Sequence, residues 1–76
     1  MKSEVTLYMR PNCGLCGPVI ESLEALGIVY RSVDVSLDAG LEIKYGWSVP
    51  VVEQGGVVVF EGGMDPLDLP SLIGGP

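Results

Sequence analysis

Two cysteines, Cys13 and Cys16, are the only ones in the chain, and two residues separate them. They lie where a strand-like segment ending at Met9 gives way to a helical pattern. A thiol at the start of a helix is close to unpaired amide N–H groups and to the positive end of the helix dipole, which favours its thiolate. The thiolate is the form that attacks a disulfide, and a second thiol one turn later can resolve the mixed disulfide that results. The spacing therefore predicts a redox-active pair.

Two other interpretations of the pair are half of a zinc site and two neighbouring core residues. Zinc needs about four ligands, usually Cys and His. The sequence has no His and no further Cys, so one chain cannot complete a site with these ligands, and we expect no bound metal. Cys16 lies on the same helical face as Ile20 and Leu23, which leaves a core role open for it. Cys13 is expected to be exposed.

The composition predicts one small globular domain spanning residues 1–76, because 47% of the residues are hydrophobic and only 18% are charged. No apolar run reaches the roughly 18 to 20 residues of a membrane-spanning helix, and the first residues show no apolar signal-peptide region. We therefore expect a cytoplasmic protein that does not contact membranes. In that compartment, close cysteines are more often catalytic or metal-binding than structural. A net charge of −6 with four Lys and Arg argues against nucleic-acid binding.

The elements that must position the cysteines follow the order β-α-β-α-β-β-α. The β-rich and amphipathic patterns predict a strand at 4–9, a helix from Gly14 to Leu26, a strand from Ile28 to Val35, a short helix from Asp38 to Tyr45 and a hairpin around Gln54-Gly55-Gly56. Asp38 is expected to cap the short helix, with Leu41, Ile43 and Tyr45 as its apolar contacts. Asp65-Pro66 is typical of a helix start. Pro70 lies too far along to be harmless, so the final helix should be short or interrupted.

This order, with Val49-Pro50 before the hairpin and Gly62-Gly63-Met64-Asp65 after it, resembles the glutaredoxin family from Val5 to about Ile73. The resemblance implies a thioredoxin-like α/β fold of three layers, with a four-stranded mixed sheet. It also implies a thiol-disulfide oxidoreductase in which Cys13 attacks and Cys16 resolves. The substrates would be protein disulfides or glutathione mixed disulfides.

The resemblance also implies which residues bind the substrate. Val49 and a cis-Pro50 would offer backbone groups to an extended peptide or to glutathione. Gly63, Met64 and Asp65 would receive the γ-glutamyl end of glutathione, although an ordinary glycine turn followed by a helix cap is the alternative.

Arg10 occupies the place of the family's basic residue, three positions before Cys13. There it would favour the Cys13 thiolate or pair with a glutathione carboxylate, unless it is a solvated surface charge. Leu15, Trp47 and Met64 are expected near the cysteines, either as core residues or as an apolar rim that docks a partner protein.

Two departures from the family pattern bear on the electron donor. Gly14-Leu15 stands between the cysteines where dithiol glutaredoxins typically have Pro-Tyr. The segment 46–52 instead resembles the redoxins that serve ribonucleotide reductase and are reduced by thioredoxin reductase. Glutathione as a co-substrate and a flavoprotein reductase are therefore both expected candidates, acting on a monomer with no bound cofactor.

An alternative of another class is a carrier of a [2Fe–2S] cluster. Cys13 from each of two protomers and two glutathiones would supply its four thiolates. Glutaredoxins that do this mostly have a small residue after the first cysteine, as Gly14 is here.

Overall fold

Four strands form one mixed sheet in the order β2-β1-β3-β4 in the computed structural model, which describes residues 4–73. The elements are β1 Val5–Met9, α1 Cys16–Ala25, β2 Tyr30–Asp34, α2 Ala39–Tyr45, β3 Val51–Gln54, β4 Val57–Phe60 and α3 Leu69–Leu72, with 3₁₀ turns at Val35–Leu37 and Pro66–Asp68. β1 pairs with β2 in parallel and with β3 antiparallel, and β3 pairs antiparallel with β4. The predicted order of elements and the mixed sheet are confirmed.

Side chains that alternate along the strands build a core on each face of the sheet. Leu7 of β1 belongs to a buried cluster with residues of α1 and α3, namely Val19, Leu23 and Leu69. On the opposite face, Val51 of β3 packs with Val35 and with Tyr45 of α2. The sheet thus lies between α1 with α3 on one side and α2 on the other. These are the three layers of a thioredoxin-like fold.

The strand register determines where the connecting segments meet. Tyr8 pairs with Val51, so the chain after β1 and the chain before β3 leave the sheet at the same end. Val52 pairs with Phe60, which brings the chain after β4 to that end as well. The cysteine segment, Val49-Pro50 and the segment 61–65 therefore emerge together, which is the condition for a common site.

Several element boundaries differ from the prediction. β2 begins at Tyr30, two residues later than expected, because its pairing with β1 starts at Val5 opposite Tyr30. Val29 is left 92% exposed. α1 begins at Cys16 because Leu15 is its N-cap residue, and it ends at Ala25. Ile43, expected among the apolar contacts of α2, is exposed instead.

Other local predictions are confirmed. The Asp38 carboxylate accepts a hydrogen bond from the Leu41 N–H at 3.1 Å and caps α2, as its position indicated. The final helical region is short, because a 3₁₀ turn precedes a single turn of α-helix with Pro70 near its start. Within residues 4–73, no helix combines the length and apolar character needed to cross a membrane.

Candidate redox site

Cys13 and Cys16 are joined by a disulfide, with their Cα atoms 5.4 Å apart. Cys16 is the first residue of α1, and its N–H donates to the Cys13 carbonyl oxygen at 3.3 Å, so the pair closes a tight turn at the helix start. Cys16 is only 3% exposed, whereas Cys13 is half-buried. Asn12, with a φ of 62°, turns the chain into this loop. Cys13, expected to be exposed, is only partly accessible to solvent, but it is the more accessible of the two cysteines.

The peptide bond between Val49 and Pro50 is cis, as the resemblance implied. Pro50 is fully buried and Val49 is half-buried. Because Tyr8 pairs with Val51, continuing the register by one residue sets Pro50 opposite Met9 at the end of β1. The cis-proline segment thus lies beside the strand end from which the cysteine loop starts.

Gly62 joins the segment after β4 to the cis-proline segment. Its backbone N–H donates to the Ser48 carbonyl oxygen at 2.8 Å. A Cβ atom at position 62 would lie 2.8 Å from that same oxygen and 3.0 Å from the Val49 carbonyl carbon. Such distances are too short for a side chain, so glycine is what allows the two backbones to approach. The neighbouring Gly63 faces open space.

Asp65 has a defined local role in the structure. Its carboxylate accepts a hydrogen bond from the Leu67 N–H at 2.9 Å and caps the 3₁₀ turn at Pro66–Asp68. Met64 precedes it, and the Met64 N–H donates to the Glu61 carbonyl oxygen at 3.0 Å. The cap predicted as the alternative role of Asp65 is therefore present. The contact with glutathione stays a prediction.

Arg10 is not a freely solvated surface charge. Its Nη2 donates to the Gly46 carbonyl oxygen at 2.9 Å and also pairs with the Glu42 carboxylate. Within residues 4–73 its Nε is buried and has no hydrogen-bond partner. Gly46 fits closely, since a Cβ there would lie 2.8 Å from Arg10 Nη2. The guanidinium is thereby fixed to the C-terminal end of α2.

Two tyrosines share one carboxylate on the α2 side of the sheet. Tyr8 Oη donates to Glu53 Oε1 at 3.1 Å and Tyr45 Oη donates to Glu53 Oε2 at 2.5 Å. The two rings stack with centroids 4.4 Å apart. Burial, followed by the Glu53 hydrogen bond, raises the pKa of Tyr8. For Tyr45 the Glu53 hydrogen bond is the larger cause of a raised pKa, and burial adds to it. Both phenols are held in the neutral form.

The predicted apolar rim is exposed, which rules out the core alternative for its members. Trp47 is 99% exposed, and Leu15 and Met64 are also exposed. Trp47 lines an open groove of about 290 Å³ together with Arg10, Glu42, Ile43 and Gly46. Docking of a partner at this rim stays a prediction.

The family model described as Glutaredoxin-like domain (DUF836) matches residues 4–72. This chain belongs to the glutaredoxin-like family. The match includes both cysteines and every strand and helix that positions them, so the family assignment applies to the fold and to the cysteine pair. A close Cys13–Cys16 pair on a glutaredoxin-like fold points to thiol redox function.

Several solved structures share this fold. The chain is 32% identical to protein XcR50 from X. campestris, with a TM-score of 0.76 over 88% of this chain and 91% of that one. It is 29% identical to the thioredoxin-like protein BC3987, with a TM-score of 0.72 over 92% of this chain and all of that one. A buckwheat glutaredoxin in complex with glutathione shares the fold at 17% identity, with a TM-score of 0.69 over 91% of this chain and 70% of that one. No curated protein matches the sequence significantly.

The roles of three residues in this glutaredoxin-like site were not predicted from the sequence. Glu42 and Gly46 hold Arg10 from 32 and 36 residues away, and Ser48 accepts the Gly62 hydrogen bond. A local pattern carries no signal for contacts at that separation. The sequence indicated only that Gly46 follows the end of a predicted helix and that Glu42, one turn earlier, lies on the same side of it.

Proposed function

We propose that this glutaredoxin-like protein is a dithiol oxidoreductase that reduces disulfides of proteins or glutathione mixed disulfides. One observation carries the proposal: a half-buried Cys13 bonded to a buried Cys16 at the first turn of α1. Thiol-disulfide exchange needs one sulfur that a substrate can reach and a second that waits behind it. The unequal burial supports Cys13 as the attacking sulfur and Cys16 as the resolving one.

The reaction balances as two exchange steps. The Cys13 thiolate attacks one sulfur of the substrate disulfide, so that a mixed disulfide forms and the other substrate sulfur leaves as a thiolate. Cys16 then loses its proton and attacks the Cys13 sulfur, which forms the Cys13–Cys16 disulfide and releases the second substrate thiolate. Two electrons have passed from the pair to the substrate. A thiol reductant must return them by the same chemistry.

The segments at the same end of the sheet would bind the substrate. Val49, just before β3, would offer backbone groups to an extended substrate beside the disulfide. Gly63, Met64 and Asp65 lie next to that segment because Gly62 is bonded to Ser48, and they would receive the γ-glutamyl end of glutathione. Arg10 precedes Cys13 by three residues and Leu15 lies between the two cysteines, so both would contact the substrate from the cysteine segment. These roles are part of the proposal.

Glutathione and a flavoprotein reductase are the two proposed electron donors, and the protein would act as a monomer in the cytoplasm. The buckwheat glutaredoxin of the same fold was crystallised with glutathione, which supports the first donor. Turnover should be compared with glutathione plus glutathione reductase and with thioredoxin reductase, each recycled by NADPH. Activity with one donor alone would assign it. The cluster-carrying alternative remains a prediction from the sequence.

The cysteine variants test the mechanism. Cys13→Ser should abolish reduction of bis(2-hydroxyethyl) disulfide, because no attacking sulfur remains. Cys16→Ser should accumulate a mixed disulfide between Cys13 and the substrate, visible as a mass increase that dithiothreitol removes. Full activity of folded Cys13→Ser would refute the mechanism, and so would a mixed disulfide on Cys16 in the wild-type protein.

A further inference from the structure

Arg10 is the described cation closest in sequence to the attacking cysteine, and the structure shows its charge already matched. Glu42 pairs with its guanidinium and the Gly46 carbonyl oxygen accepts a second hydrogen bond at 2.9 Å. The other cations among residues 4–73 are engaged elsewhere. Arg31 approaches Glu4, and the Lys44 ammonium lies over the Tyr45 ring.

The remaining charges at this end of the sheet are negative. Glu61 directly follows β4 and is exposed, and Asp34 lies opposite Met9 at the end of β2. An anionic substrate that reaches the groove beside Trp47 meets a guanidinium already paired with the carboxylate of Glu42. A cationic substrate instead meets the exposed carboxylate of Glu61, which forms no ion pair among residues 4–73. The paired state of Arg10 and the nearby carboxylates therefore disfavour a negatively charged substrate.

We infer that Glu42 is a positioning residue that sets the charge preference of this redox site by holding Arg10 against the carbonyl of Gly46. The inference rests on the proposed function and adds a determinant of substrate class to it. With Glu42 in place, disulfides flanked by neutral or basic groups are preferred over anionic ones such as oxidised glutathione. Once Glu42 is neutralised, Arg10 can offer its fork of donors to a substrate carboxylate.

Three small disulfides of different charge separate this effect from a general change in activity. Oxidised glutathione has a net negative charge, cystamine is a dication, and bis(2-hydroxyethyl) disulfide is neutral. The measured quantity is kcat/KM of the reduced protein for each, compared between wild type and Glu42→Gln. We expect kcat/KM to rise about fivefold for oxidised glutathione, a size typical of partly exposed ion pairs. The rise should come mainly from KM. Cystamine should lose a similar factor, and the neutral disulfide should stay within about twofold.

Three further variants show whether Glu42 acts through Arg10. Arg10→Met combined with Glu42→Gln should abolish the gain for oxidised glutathione, because the freed guanidinium is gone. Glu42→Asp, which keeps the carboxylate, should retain the wild-type preference within about twofold. Glu24→Gln removes the same charge from an exposed site on α1, about 12 Å along the helix from Cys16, and should shift no ratio by more than about twofold.

The outcomes are distinct. An equal change for all three disulfides in Glu42→Gln would make Glu42 merely structural and overturn the inference. So would the same shift in Glu24→Gln, or a gain that persists without Arg10. If folded wild-type protein reduces none of the three disulfides, the proposed function fails and the inference falls with it. If wild type reduces them and only the charge ratios fail to move, the inference alone is wrong.

Discussion

Gly62 donates its backbone N–H to the Ser48 carbonyl oxygen at 2.8 Å, and this bond joins the segment after β4 to the segment that carries the cis-proline. The two backbones are close enough that Gly62 leaves no room for a Cβ atom. The two segments proposed to bind the substrate therefore hold each other in place. A change at one should displace the other.

Gly62→Ala should lower both stability and activity. The new methyl group would lie 2.8 Å from the Ser48 carbonyl oxygen, so the backbones must separate. Overpacking of this kind costs about 1–3 kcal/mol in the free energy of unfolding, which urea titration of the oxidised protein would measure. Gly63→Ala is the matched control for stability, because a Cβ there meets nothing within 4 Å. Equal losses for the two variants would contradict the role given to Gly62.

The sequence predicted features that neighbouring residues determine, but it did not predict features that depend on residues far apart in the chain. The helix cap at Asp38 and the hairpin turn at Gly55-Gly56 rest on neighbouring residues, and both are present in the structure. The predicted start of β2 was wrong because pairing with β1 begins at Tyr30, so Val29 lies before the paired residues. The cis-Pro50 bond followed only from the resemblance, since Val-Pro alone favours trans.

Contacts between distant residues could not be predicted. Arg10 was assigned from the sequence to Cys13, to glutathione or to solvent, and its ion pair with Glu42 of α2 was not predicted. The carboxylate of Glu53 gathers Tyr8 from β1 and Tyr45 from α2, which are 37 positions apart by their numbers. The pattern of apolar and polar residues along the chain predicts which face of a strand or helix a residue occupies. Which polar side chains then pair on that face depends on how the elements pack.

In the reduced protein, Cys13 should be alkylated by iodoacetamide at least about tenfold faster than Cys16. Cys16 is 3% exposed at the first turn of α1, whereas Cys13 is half-buried in the preceding loop, and reactivity requires access as well as the thiolate. Peptide mass spectrometry at short reaction times measures each rate. In urea the two rates should converge. Equal rates in the folded protein would contradict the assignment of attacking and resolving cysteines.

The shared carboxylate predicts a loss of stability at alkaline pH. Burial and the Glu53 hydrogen bond raise the pKa of Tyr8 above 10.0, and the Glu53 hydrogen bond and burial do the same for Tyr45. Because both pKa values are higher in the folded than in the unfolded state, the two tyrosines contribute fully to stability below about pH 10. This contribution is lost as the pH rises through the pKa values of the folded state. The free energy of unfolding should therefore fall above about pH 10, as urea titrations at several pH values would show.

Tyrosine variants test the origin of that loss. Tyr45→Phe should lower stability at neutral pH by about 1–2 kcal/mol, since the Glu53 carboxylate loses a donor. The gap between this variant and wild type should narrow above about pH 10. Tyr30→Phe, which alters the core on the α1 side, is the control and should leave the alkaline loss unchanged. A gap that stays constant with pH would exclude Tyr45 as the titrating group.

Asp65 has two possible roles that a pair of substitutions can separate. As a cap, its carboxylate accepts the Leu67 N–H, and Asn fills that role nearly as well as Asp. Asp65→Asn should therefore retain the wild-type free energy of unfolding, whereas Asp65→Ala should lose about 0.5–2 kcal/mol. As a partner for the α-ammonium of glutathione, the side chain needs its charge. Asp65→Asn should then raise KM for a glutathione mixed disulfide about fivefold without changing KM for bis(2-hydroxyethyl) disulfide.

The matched control for Asp65→Asn is Asp38→Asn, which removes the same charge from a side chain that caps α2 in the same way. Asp38 is not among the residues proposed to contact the substrate, so its substitution should leave both KM values within about twofold. An unchanged KM for the glutathione substrate in Asp65→Asn would reduce Asp65 to a helix cap. A net-charge effect would have the opposite sign, because removing a negative charge from a chain of net charge −6 should lower the KM of an anionic glutathione substrate. An equal rise in both aspartate variants would therefore contradict a specific contact between Asp65 and the α-ammonium group.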